Sequence, residues 1–329
     1  MSALLEIDNL QTVFSTGRGM LRAVDGVSIA LNAGEVTGVV GESGCGKTML
    51  ALSILRLIPP NGRIQTGRIV FEGTDLLSLT EAEMRQKRGS DIGMIFQEPM
   101  TSLNPVLRVG EQIAEVVMLH RGLPRKQAQA ESVRMLAEVG LPDPSRRAAD
   151  YPHQLSGGMR QRVMIAIAMS CHPKLLLADE PTTALDVTVQ AQILDLMAQL
   201  QKKNDMAVML ITHALGVVAR MAHRVAVMYA GRFVEMSAAA DLFENPLHPY
   251  TKGLIESRPG ACGKATSGNF KLKTIPGTVP SLYALPEGCR FSDRCDYASE
   301  TCRHAEPSLE EVRTNHCVAC VLHQKKIAG

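Results

Sequence analysis

The chain opens with short apolar blocks of the kind strands produce. Leu4–Leu10 predicts one strand and Val27–Leu31, with alternating apolar and polar positions, a second. Val36–Val40 is continuously apolar and predicts a strand buried on both faces. A glycine-rich loop, Gly41–Gly46, follows directly, then a helix over Lys47–Leu57 that stops before Pro59-Pro60. Ile92–Phe96 predicts a further strand. From Asn104 to Tyr151 the period becomes helical: Val109, Ile113, Val116 and Val117, then Ala128, Val133, Leu136 and Val139, predict two amphipathic helices in an insertion spanning about residues 104–155. Beyond it, helices are expected at Gly157–Cys171, Val187–Gln201 and His213–Met221. Strands are expected at Leu175–Asp179 and Ala207–Thr212, with a hairpin of Val225–Tyr229 and Arg232–Met236 turning at Ala230-Gly231. Strands alternating with helices predict an α/β fold with a mostly parallel core sheet.

The pattern changes near Asn245. Seven prolines (246, 249, 259, 276, 280, 286 and 307), few apolar runs and six of the eight cysteines fall beyond that point. Two domains are therefore expected, residues 1–244 and a small irregular region 245–329, with Gly260–Asn269 reading as a linker. Composition narrows the function. With 45% hydrophobic and 21% charged residues, the 329-residue chain is neither disordered nor fibrous. A net charge of +2, no Trp and 4% aromatics argue against nucleic acid as a partner. No run reaches the roughly 18–20 apolar residues of a membrane span. The N-terminus lacks the basic and apolar regions of a secretory signal, so the cytosol is expected. Thiols stay reduced there, so clustered cysteines suggest a metal before disulfides.

Three segments carry chemistry. Gly41-Glu-Ser43-Gly44-Cys45-Gly46-Lys47-Thr48 lies between a predicted strand and a predicted helix, the setting of a phosphate-binding loop. Its glycines let backbone N–H groups turn onto phosphate oxygens, and the helix N-terminus adds about half a positive charge. Lys47 would reach the β- and γ-phosphates, and the Thr48 hydroxyl would bind Mg²⁺. Leu175–Asp179 delivers Asp179 and Glu180 to the C-terminal end of a strand, where α/β sheets bind ligands. Asp179 is expected to hold Mg²⁺ through water and Glu180 to act as general base on the attacking water. Ser156-Gly157-Gly158 opens a helix and forms a second anion site, which one nucleotide does not need. Its expected ligand is the γ-phosphate held by another subunit.

In this combination, residues 1 to about 240 resemble the ATP-binding cassette (ABC) ATPases. The resemblance implies a cassette with a parallel core sheet, an antiparallel β subdomain and a helical subdomain, binding ATP and Mg²⁺. It implies that Gln97 is the glutamine sensing Mg²⁺ and water and coupling to a membrane subunit. It also implies that Ala184-Leu185-Asp186 is the loop at the dimer interface, His213 the switch histidine on the γ-phosphate, and Phe14 the adenine-stacking aromatic. A core aromatic is the equal alternative for Phe14. The sequence departs from the family in carrying Ala214 where an Asp commonly follows the histidine. Altered packing, with catalysis retained, is the expected consequence.

Asn245-Pro246-Leu247-His248-Pro249-Tyr250-Thr251 and the tail behind it are similar to the C-terminal extension of ATP-binding subunits of dipeptide/oligopeptide importers. That likeness implies an ATPase powering peptide import across the bacterial inner membrane, peripheral on its cytoplasmic face. The implied partners are a second, related ATPase subunit, two transmembrane permease subunits and, indirectly, a periplasmic binding protein. Another cargo (nickel, sugar, glutathione) or a non-transport ABC ATPase are the alternatives. Cys289-x5-Cys295-x6-Cys302 lacks the short C-x2-C spacing of a zinc knuckle. By the family's Val-Ala-Cys stretch, Cys289, Cys295, Cys302 and Cys320 are the implied ligands of a [4Fe–4S] cluster, with Cys317 a spare. Zinc and unligated thiols remain as alternatives. Cys45 reads as a space-filler, Cys171 as core, and His304 and His316 as surface residues.

Overall fold

The computed structural model describes residues 3–183, 185–257 and 274–324. Its principal strands, in chain order, are β1 Leu5–Thr16, β2 Gly19–Leu31, β3 Val36–Val40, β4 Gly62–Phe71, β5 Ile92–Ile95, β6 Leu175–Asp179, β7 Ala207–Thr212, β8 Arg224–Tyr229, β9 Arg232–Ala238, β10 Glu310–Arg313 and β11 His316–Val318. The expected buried strands β3, β6 and β7 have the predicted bounds, because unbroken apolar runs leave no choice of register. All five residues of β3, all five of β6 and all six of β7 are buried. β4 was not expected: Arg63, Gln65, Thr66 and Arg68 leave it with almost no apolar signal, and only Ile69 and Phe71 are buried. A helix at Glu81–Lys87 was also not expected, although Thr80 and Glu83 form a capping box that the sequence displays.

The chain divides into two compact units. One comprises Met1–Leu4, Leu31–Glu35 and Phe71–Leu210. In it β5 runs parallel to β6, pairing Ile92 with Leu175 and Ile95 with Ala178. The anticipated helical insertion appears as Val109–Arg121 and Arg125–Glu138. They pack through Ala114, Val117 and Ala128, the i, i+3 spacing of one helix face meeting the next. Gly157–Met169 and Val187–Asn204 complete the unit's long helices.

The other unit comprises Leu5–Ala30, Val36–Val70 and Ile211–Gly329. Its sheet runs β3-β8-β9-β11-β10. β3 and β8 are parallel, pairing Val40 with Val227, and the remaining neighbours are antiparallel. The C-terminal region is therefore less irregular than expected. β11 pairs with β9, setting Glu235 opposite Val318 and Met236 opposite Cys317. One apolar cluster joins Val40, Val225, Val227 and Val234 of the strands to Tyr250 and Phe291 of the tail. Tyr229, Tyr250 and Phe291 form an aromatic trio with centroids 4.6 to 5.4 Å apart, tilted or edge-on. Such contacts contribute about 0.5–1.5 kcal/mol each beyond burial.

His316, expected at the surface, is 2% exposed. Its Nε2 lies 2.7 Å from Glu235 Oε1. The fully buried Glu235 carboxylate also accepts the N–H groups of Leu247 and His248, at 2.7 and 2.9 Å. A buried carboxylate needs such partners, and here they fix where the tail leaves β9.

Candidate nucleotide site and cysteine cavity

The phosphate loop lies between β3 and the helix Lys47–Ile54, as the apolar run and glycines predicted. Two glycines are required by shape. Gly46 has φ +108°, and a Cβ there would collide with the carbonyl oxygen of Ala23. Gly41 has φ +155°, and its Cβ would meet the Met228 carbonyl and the Cys45 sulfur. Behind the loop Cys45 is wholly buried, and burial pushes its thiol pKa up, so it fills space as expected. Ser43, Gly44 and Thr48 are exposed on the open side. Lys47 is 5% exposed, and its Nζ donates to the carbonyls of Gly41 and Glu42, both at 2.9 Å. The ammonium is thus tethered to the loop that would carry the phosphates. His213 follows the last residue of β7 and is exposed. Phe14 is half-buried near the end of β1, its ring against Gly62.

Sequence reasoning missed what holds this loop from outside. The Glu42 N–H donates to the Tyr250 hydroxyl at 2.8 Å. Its carboxylate receives both terminal nitrogens of Arg294, at 2.7 and 3.0 Å. Glu42 sits at a variable position of the motif, and its partners lie more than 200 residues away, so no local signal could have found them.

In the other unit, Asp179 ends β6 and is 1% exposed. Glu180 turns the chain with φ 47°, a left-handed conformation uncommon outside glycine. Its Oε2 accepts from Gln97 Nε2 at 3.0 Å and from the Thr183 hydroxyl at 2.8 Å. Gln97 and Glu180, remote in sequence, are thereby brought together. Thr183 had not been singled out. Ser156 caps the helix Gly157–Met169, accepting from the Met159 N–H at 3.4 Å. A Cβ on Gly158 would press on Val189, so this glycine allows close helix packing. Asp186 caps Val187–Asn204, accepting from the Val189 N–H at 2.9 Å. Ala184 lies outside the described residues.

Cys289, Cys295, Cys302 and Cys320 line one narrow cavity, together with His248, Phe291, Tyr297 and Leu322. Burial raises the thiol pKa of Cys289, to about 11, and those of Cys295 and Cys320, and neighbouring thiols of the set push in the same direction. Cys317 stands apart, beside Glu311 and Arg224. The expected metal staple is corrected. Among the described residues no group of three or more His, Cys, Asp or Glu is gathered to hold a metal ion. The described residues therefore give no support to a preformed metal staple in the tail, whether iron–sulfur or zinc.

Comparison with known proteins then decides the family. The ABC transporter family matches residues 24–183, and the C-terminal region of oligopeptide/dipeptide transporters matches residues 234–302. The dipeptide transport ATP-binding protein DppD of Bacillus subtilis is 48% identical, covering 99% of this chain and 96% of the relative. The oligopeptide transport ATP-binding protein OppD of Salmonella typhimurium is 49% identical, covering 97% and 93%. The chain belongs to the ABC transporter ATPases. A dimeric ATP-binding cassette in a post-hydrolysis state, bound to ADP and phosphate, superposes with a TM-score of 0.65 at 26% identity, covering 71% of this chain and 98% of that one. Like an ABC ATP-binding subunit, the chain has no described helix long and apolar enough to cross a membrane.

Proposed function

We propose that this ABC ATPase hydrolyses ATP to drive import of dipeptides or oligopeptides, working peripherally at the cytoplasmic face of the inner membrane. Its partners in this reading are a second, related ATPase subunit and two transmembrane permeases, fed by a periplasmic binding protein. The peptide-transporter region at residues 234–302, with relatives near 50% identity over nearly the whole chain, supports the cargo class.

In the catalytic reading, Gly41–Thr48 cradles the phosphates, Lys47 neutralises their charge and Phe14 stacks on the adenine. Thr48, Gln97 and Asp179 are the hydroxyl, amide and carboxylate oxygens that suit Mg²⁺, which polarises the γ-phosphate when bound. Glu180 takes a proton from the attacking water. The observation supporting this role is the pair of hydrogen bonds from Gln97 and Thr183, which holds the Glu180 carboxylate in a fixed orientation. His213 contacts the γ-phosphate. Ser156, Gly157 and Gly158 serve the nucleotide of the partner subunit, and Asp186 lies at that interface. The dimeric cassette bound to ADP and phosphate supports this arrangement.

The same reading gives the four-cysteine cavity a [4Fe–4S] cluster. Four thiols lining one cavity are the donor type that such a cluster takes. The cluster would supply folding energy to the loops that carry its ligands.

The test is reconstitution with the cognate membrane subunits, followed by uptake of labelled peptides. ATP-dependent peptide uptake is expected, and Glu180→Gln should retain nucleotide binding while turnover falls about 10²–10⁴-fold. Uptake of nickel or sugar without peptide would overturn the cargo. Full turnover in Glu180→Gln would overturn the general base.

A further inference from the structure

The C-terminal region grips the phosphate loop at Glu42, through Arg294 and Tyr250. Arg294, immediately before the cavity cysteine Cys295, is 5% exposed and makes a two-pronged ion pair with Glu42. Its Nε donates to the Pro276 carbonyl at 2.8 Å, and Nη1 also reaches the Tyr229 hydroxyl at 3.3 Å. The guanidinium is therefore locked in place before it meets the loop. Glu42 in turn uses every polar group it has. Its carboxylate takes Arg294, its N–H donates to Tyr250, and its carbonyl accepts from Lys47 Nζ. A chain of direct contacts thus runs from the cysteine-bearing loop through Arg294 and Glu42 to Lys47.

We propose that Arg294 is a positioning residue for the phosphate loop: by holding Glu42, it keeps Gly41–Lys47 in the conformation that accepts nucleotide phosphates, so that the C-terminal region sets nucleotide affinity. Bidentate Arg–carboxylate pairs fix geometry as well as adding energy, which suits a loop whose N–H directions decide binding. Tyr250 supports the same residue from the second side. A loop released from Arg294 samples other shapes, and the nucleotide must then select the competent one, which weakens apparent affinity by the fraction populated. The inference rests on the assignment of residues 41–48 as the nucleotide loop.

The test uses the full chain and two readouts, Mg·ATP binding and the split between KM and kcat of ATP hydrolysis. Glu42→Gln breaks the ion pair from the loop side without touching the tail, and Arg294→Gln breaks it from the tail side. Each should raise Kd and KM about tenfold with kcat changed less than about twofold. The double variant should be no worse than either single one, because both remove one interaction. Arg294→Lys should recover part of the loss, and Tyr250→Phe, which keeps the packed ring, should raise Kd a few-fold. Lys47→Ala separates the two readings. If it leaves Mg·ATP binding intact, the nucleotide-loop assignment itself fails. If Lys47→Ala abolishes binding while folded Glu42→Gln and Arg294→Gln bind normally, or if their effects add in full, the positioning role is overturned.

Discussion

The phosphate loop and the C-terminal region belong to one unit of the fold, yet they are built on opposite terms. The loop's signal is local: six consecutive residues carry it, two of them glycines where any side chain would strike the carbonyl of Met228 or Ala23. The tail is non-local. Its order comes from pairings such as Glu235 with His316 and Arg290 with Asp25 and the Ala230 carbonyl, each spanning scores to hundreds of residues. A short motif can therefore announce a chemical site, whereas the element that secures the site stays invisible until the chain is folded.

The largest effect should come from breaking the local half. Gly46→Ala forces φ +108° on a residue with a Cβ and drives that Cβ into the Ala23 carbonyl. The loop must deform, and Mg·ATP affinity should fall at least about a hundredfold with the protein still folded. Retained affinity, measured by equilibrium binding, would show that the loop's shape is less demanding than its glycines imply.

Breaking the non-local half should instead cost stability. Phe291 is 4% exposed and touches Tyr229, Tyr250 and His248. Phe291→Ala should destabilise this unit by about 3–5 kcal/mol in denaturant unfolding. A loss below about 1 kcal/mol would mean that the tail rides on the sheet without sharing its core.

A smaller and more selective effect is expected among the cysteines. If the cavity holds the proposed cluster, anaerobically purified protein should carry about four irons per chain, and Cys295→Ser should loosen the tail and abolish that iron. Cys317→Ser should change neither, because Cys317 lies outside the cavity. Equal effects of the two substitutions would erase the distinction between ligand and spare.

The fold and the site were legible to different depths. Unbroken apolar runs gave β3, β6 and β7 to the residue, and the helical period gave both insertion helices. β4 escaped because ladder hydrogen bonds hold a strand whose side chains are mostly polar and exposed. In the site, Lys47, Asp179, Glu180 and Ser156 were read from motifs whose chemistry fixes spacing. Thr183 and Arg294 were not, since their partners are carboxylates of other residues, which no motif announces. His316 was misread because a histidine's burial depends on finding Glu235, 81 positions earlier. Residues 260–269, expected as a linker, lie outside the described residues.

The smallest effect concerns Ala214, where local chemistry is deficient and can be repaired. The helix Leu215–Met221 begins at Ala214, whose side chain makes no cap, and the nearby Thr212 hydroxyl is spent accepting the Ala214 N–H itself at 3.0 Å. The first-turn N–H groups therefore lack a side-chain acceptor from the N-cap position. Ala214→Asp places a carboxylate there, within reach of those donors and favourably aligned with the helix dipole. The substitution should stabilise the chain by about 0.5–2 kcal/mol, raising the melting temperature by a few degrees. If the native Ala214 affects packing alone, kcat at saturating ATP should stay within about twofold of the parent. A tenfold change in kcat with an unchanged melting temperature would instead show that position 214 acts on the neighbouring His213 and not on the helix.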